Sequence, residues 1–114
     1  KVAESLNATV VNMRWAKPLD IQTLQELAQS HHRLVTLEDG TRMGGAGSAV
    51  LEALQDMKIS KEVLVLGFED EFTEHGDPSV LMQQYGLTAT GIQKRIDEMW
   101  PVAHQAGTNL RRVV

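Results

Sequence analysis

The stretch from Leu34 to Val50, LVTLEDGTRMGGAGSAV, constrains the fold of this chain more than any other. Leu34-Val35-Thr36-Leu37 is a short, β-branched apolar run that reads as a buried strand. The acidic turn Glu38-Asp39-Gly40 ends the run, the glycine loop Gly44-Gly45-Ala46-Gly47 follows, and Ser48, Val50, Leu51 and Leu54 then fall at helical spacing. Strand, glycine loop and helix start make a βα unit of an α/β protein. In such folds, ligands and neighbouring domains are usually met at the carboxyl edge of the strands. The glycines have two readings. Their backbone N–H groups could cradle an anion at a helix N-terminus, or Gly44, Gly45 and Gly47 could let the chain turn tightly and bring the helix close to the sheet. The second is preferred. Val50 stands where a dinucleotide fingerprint has its third glycine, and no Gly-Lys-Ser/Thr follows as in a Walker loop.

With 114 residues there is room for one domain and one core. The formal net charge of −4 argues against binding nucleic acid or an anionic membrane surface, since both call for a basic stripe. No apolar run approaches the length of about 18 residues that spans a bilayer, and no signal-peptide pattern opens the chain. With no cysteine, disulfides, thiol catalysis and cysteine metal sites are excluded, which is compatible with a cytoplasmic location.

Taken in order, Lys1 to Leu6 reads as the last turns of a helix with Asn7 as its C-terminal cap, so the chain is expected to begin inside a larger protein. Ala8 to Met13 reads as a strand covered on both faces. After Pro18-Leu19, Asp20 caps a helix that buries Ile21, Leu24, Leu27 and Ala28 and ends near His31-His32. That span is long enough for a right-handed crossover between parallel strands. A helix from about Ser48 to Met57 is expected to bury Val50, Leu51, Leu54 and Met57, and Val63 to Leu66 is a further strand. The acidic segment Gly67 to Gly76 has Phe68 and Phe72 as its anchors. Asp77-Pro78 starts a short helix with Val80, Leu81 and Tyr85 inward, ended by Gly86. Thr88 caps the last helix, which carries Ile92, Ile96 and Met99 on one face and stops at Pro101. The expectation is a three-layer α/β/α domain over residues 1–100 with a mostly parallel sheet, its N-terminal strand missing from this chain. A tail follows at 101–114, ordered only against another surface.

Chemistry is sparse. His31 and His32 are adjacent, so on a helix they point about 100° apart and chelate poorly; they read as helix C-terminal residues favoured by the dipole. His104 falls in the tail. His75, between Glu74 and Gly76 in the loop after a strand, is the histidine best placed for a site, though a loop-fixing hydrogen bond accounts for it as well. Glu69, Asp70, Glu71 and Glu74 lack calcium-loop spacing and read as a solvated acidic loop. Ser48 has no nucleophile elbow around it. No convincing catalytic set emerges.

Several stretches together resemble the C-terminal domain of the 1-deoxy-D-xylulose-5-phosphate synthase family, which is transketolase-like. They are Val11 to Asp20 (VNMRWAKPLD), Val35-Thr36-Leu37-Glu38 with Gly44 to Val50 (GGAGSAV), the pattern Gly67, Asp70, Phe72, Glu74, His75 and Gly76, and Tyr85-Gly86-Leu87 to Ile92. Glu69 stands where the family usually has proline, and Asp39 to Met43 replaces a more common Glu-Asn-Ala-Ile type of run. The resemblance implies an enzyme that uses thiamine diphosphate and magnesium to decarboxylate pyruvate and join the two-carbon unit to glyceraldehyde 3-phosphate. It further implies that cofactor and substrates sit between two upstream domains, and that this domain binds neither thiamine diphosphate nor Mg2+ alone. The domain would instead pack against the upstream domains and support a homodimer. Gly44, Gly45, Gly47, Ser48 and His75 then become domain-interface candidates. Two other readings stand beside it: the C-terminal domain of a 2-oxoacid dehydrogenase β subunit, which binds an acyltransferase, and a free-standing interaction module.

Overall fold

The computed structural model describes residues 1–72 and 75–101, together with the backbone of residues 112–113. The elements run α1 (Val2–Ser5), α2 (Ile21–Ser30), β1 (Arg33–Thr41), α3 (Ala46–Asp56), β2 (Glu62–Phe68), α4 (Pro78–Gln84), α5 (Ala89–Met99) and β3 (Arg112–Val113). The sheet has order β2-β1-β3, and both pairings are parallel. Strand alternation sends successive side chains of β1 to opposite faces. Leu34 joins Leu24, Ala28, Val50, Ala53 and Leu54 in a core under α2 and α3, while Val35 joins Leu64, Leu66, Leu87, Ile92, Ile96 and Trp100 in a second core on the other face. One sheet between two helical layers is the three-layer α/β/α architecture expected.

The helix starts follow from their caps. Asp20 accepts a hydrogen bond from the Thr23 N–H at 2.9 Å, Asp77 from Ser79 at 2.8 Å, and Thr88 from Gly91 at 3.2 Å. Three helix ends share one device. Asn7, Lys58 and Gly86 take positive φ just past α1, α3 and α4, and the next residue's N–H reaches back to a carbonyl of the last turn.

The expected strand Ala8–Met13 does not form. Among the described residues the segment contributes a single bridge residue, Thr9, while Arg112 and Val113 pair in parallel with β1 at Arg33 and Leu34. It packs Val11 and Met13 on the first core, leaves Val10 65% exposed, and passes through a cis Lys17–Pro18 bond. The acidic turn expected at Glu38-Asp39-Gly40 belongs instead to β1, which continues to Thr41. Between the pairs Leu37–Leu66 and Thr41–Phe68, Glu38 to Gly40 face the single residue Gly67, which is a bulge.

Some side chains expected inside are outside: Ile21, Leu51, Val80 and Met99 are exposed, and Phe72 is wholly so. Ala53, Met82 and Trp100 pack inward instead. Trp100 is held at the amino end of the sheet, where the Arg33 guanidinium lies 5.1 Å over its ring and pairs with Glu62 at 2.8 Å. That hydrogen bond from Arg33, assisted by its charge and by Trp100, keeps the Glu62 carboxyl below its ordinary range against a smaller opposing effect of burial.

Candidate functional site

The carboxyl edge of β1 and β2 brings together the glycine loop and the start of the acidic segment. Glu38 lies on the same face of β1 as Leu34 and Thr36, which turns it toward α3. Its carboxylate accepts from the Ala46 N–H at 2.8 Å and from the Gly47 N–H at 3.1 Å. The chain therefore supplies its own anion to the free donors of the α3 N-terminus, and the favourable end of the helix dipole is already occupied.

The glycines fit around that carboxylate. A Cβ on Gly45 would collide with the Glu38 carboxylate and lie 2.5 Å from the Thr41 carbonyl. One on Gly47 would lie 2.5 Å from Val65 Cγ1 and 2.6 Å from Thr36 Oγ1. Gly67, opposite the bulge, has no space for a side chain, since a Cβ would stand 2.8 Å from the Gly40 carbonyl. Of the loop glycines it is Gly44 that adopts positive φ, at 71°, whereas Gly45 keeps φ −88°. Ser48 locks the loop: its hydroxyl donates to the Arg42 carbonyl and accepts from the Gly44 N–H, both at 3.0 Å.

The neighbouring loop is tied to the first. The Arg42 N–H donates to the Phe68 carbonyl at 3.0 Å, and the Arg42 guanidinium pairs with Glu69 at 2.8 Å. Glu69 and Arg42, the second a member of the departing run Asp39 to Met43, are thus partners. Tyr85 sets its ring edge-on to Phe68 at 5.1 Å and donates to Glu71 at 2.8 Å; that bond first, with burial and the nearby carboxylates behind it, raises the phenol pKa above its ordinary value.

Of the residues singled out in the sequence, Gly44, Gly45, Gly47 and Ser48 share this edge, Gly44 exposed and Gly47 buried. His75 is exposed on the segment that follows, and its neighbour Glu74 lies outside the described residues. His31 caps α2 and is buried. Its ring nitrogens meet Thr9 Oγ1 at 2.9 Å on one side, and Ser30 Oγ at 2.8 Å and the Leu27 carbonyl at 3.1 Å on the other. His32 is exposed, and His104 lies outside the described residues. Sequence reasoning missed Glu38 and Arg42. No capping box marks Glu38, which sits eight residues before Ala46, and only the alternation from Leu34 and Thr36 could have aimed it at the helix.

No group of three His, Asp or Glu residues suited to a metal ion occurs among the described residues. The helix N-terminus that could meet a diphosphate is filled by Glu38. The residues of this edge therefore do not fit thiamine diphosphate with its magnesium ion. Among the described residues, no helix is long and apolar enough to cross a membrane.

Residues 1–92 match the family model "Transketolase, C-terminal domain", and the chain belongs to that family. Within it, the chain is 60% identical over 96 residues to the 1-deoxy-D-xylulose-5-phosphate synthase of Albidiferax ferrireducens, a match covering 84% of this chain and 15% of that protein. It is 57% identical over 96 residues to the synthase of Polaromonas sp., with the same coverage. Against the synthase of Cupriavidus necator it is 49% identical over 111 residues, 97% of this chain and 17% of that protein. The resemblance read from the four motifs is borne out, and the chain spans about one-sixth of the length of these relatives.

Proposed function

We propose that this chain is the C-terminal domain of a 1-deoxy-D-xylulose-5-phosphate synthase and that its part in the enzyme is structural. The complete enzyme would use thiamine diphosphate and Mg2+ to decarboxylate pyruvate and join the two-carbon unit to glyceraldehyde 3-phosphate. Its product would feed isoprenoid and thiamine synthesis in the cytoplasm. The cofactor and substrates would be held by upstream domains, and this domain would pack against them and support a homodimer. Gly44, Gly45, Gly47, Ser48 and His75 remain the candidates for that interface.

The observation that carries the reading is the 60% identity over 84% of the chain to a protein bearing that name. The geometry of the glycine loop agrees with a structural part, because the N–H groups of Ala46 and Gly47 are engaged by Glu38. The test has two arms. The full-length protein, given pyruvate and glyceraldehyde 3-phosphate, should release CO2 and form the five-carbon product only with thiamine diphosphate and Mg2+. Calorimetric titration of the 114-residue chain with the same cofactor pair should give no heat of binding. Acyl transfer to a lipoyl acceptor instead of carboligation would place the chain with the 2-oxoacid dehydrogenases. Micromolar cofactor affinity of the chain alone would overturn its structural role.

A further inference from the structure

We infer that the loops at the carboxyl edge of the sheet dock onto the upstream part of the longer protein, at a surface that is basic around an apolar seat. The inference rests on the reading that this domain sits at the C-terminal end of such a protein, and it names the chemistry of what it meets there. Phe72 is fully exposed and Met43 is 70% exposed, one on each of the two loops at this edge. Single exposed apolar side chains are ordinary on a protein surface. Here, however, the loops that carry them are braced: Arg42 bonds the Phe68 carbonyl and Glu69, and Glu71 is held by Tyr85. Apolar side chains on braced loops, beside a polar rim, are how interface anchors are presented.

Charge selects the occupant. Arg42 neutralises Glu69, but no cation among the described residues lies within ion-pair distance of Asp70 or Glu71, both exposed. A two-fold contact with a second copy through this face would set like charges against each other, which is unfavourable. A surface with lysines or arginines around an apolar depression satisfies both anchors and both carboxylates. The family is a C-terminal domain and the chain covers only 15% to 17% of its relatives, so most of their length is available to supply that surface. Val10, Trp15 and Ile21, exposed in the first part of the chain, lie among Arg14, Lys17 and Asp20 rather than beside a run of carboxylates.

The experiment uses the full-length protein, prepared as a mixture of isotopically heavy and light chains. It is treated with a carbodiimide that joins carboxylates directly to lysines, and the linked peptides are read by mass spectrometry. Links from Asp70 or Glu71 to an upstream lysine within one chain are expected. Phe72→Ser and Met43→Ser should each speed proteolytic release of the domain several-fold, while Val80→Ser, an exposed apolar residue on α4, should not. Heavy-to-light links from Asp70 or Glu71 would make a second copy the occupant and overturn the inference. So would free modification of both carboxylates by an added amine, with release unchanged in the two variants. If links then come from other faces of the domain, the C-terminal packing role survives without this docking face; if none joins the domain to the rest, that role falls as well.

Discussion

At the scale of single residues, Glu38 does for α3 what Asp20, Asp77 and Thr88 do for α2, α4 and α5, but from the neighbouring strand rather than the adjacent position. Glu38→Ala leaves the N–H groups of Ala46 and Gly47 without their acceptor and should cost about 1–2 kcal/mol. Glu38→Gln, which keeps one carbonyl oxygen, should cost less. A urea midpoint identical in all three proteins would mean the carboxylate contributes nothing. Gly47 is constrained from the other side. Its added Cβ would meet Val65 and Thr36, so Gly47→Ala should destabilise by about 1–3 kcal/mol through overpacking. Adding Val65→Ala should make the combined loss smaller than the sum of the two, which a double-mutant cycle reads directly. The glycine pattern announced close approach in the sequence, but which atoms approach was hidden. Those atoms come from β1 and β2, and only the packed sheet brings them to the loop.

At the scale of elements, the helix starts were the most legible part of the sequence, because a cap is a local device: Asp20, Asp77-Pro78 and Thr88 begin the helices they were expected to begin. Acid should expose two of those caps. The Asp20 carboxyl is held below its ordinary value first by the Thr23 N–H, and Asp77 first by the Ser79 hydroxyl. A lowered folded-state pKa means their stabilisation is intact above the unfolded carboxylate range and is lost as pH falls through the folded value. Asp20→Ala should therefore lower the thermal midpoint at neutral pH, and the gap from the parent should close as the pH falls below the ordinary carboxylate range and through the folded value. The helix ends offer the reverse experiment. Lys58 sits exposed at φ 56° where α1 and α4 use Asn7 and Gly86, so Lys58→Gly should raise stability by about 1 kcal/mol. A lower midpoint would show that the lysine side chain contributes more than its backbone strain costs.

Helix faces were read less well. Met99 and Val80 fit an apolar periodicity, but the bundle around Ile96 is closed by Trp100 and Met82, whose positions depend on where α4 and α5 cross the sheet. The segment Ala8–Met13 has a strand's composition, yet among the described residues it makes only the bridge at Thr9, and composition does not say which segment lies beside β1.

At the scale of the whole molecule, the sheet divides the core in two, and the functional signal lay elsewhere, in the order of motifs along the chain. That order identified the family while no set of reactive side chains did, as suits a domain whose glycine loop is engaged internally. The same loop ties the helix start to the sheet. The first amides of a helix ordinarily exchange their hydrogens with solvent quickly, because the terminal turn frays on its own. The amides of Ala46 and Gly47 are bonded to a strand side chain, so they open when the Glu38 carboxylate lets go of the helix rather than with ordinary fraying of the turn. In heavy water they should exchange as slowly as the amides in the middle of β1, and Glu38→Ala should release these two while leaving the strand protected. Two protons at the rim of the domain would then report how often the clasp between its strand and helix opens.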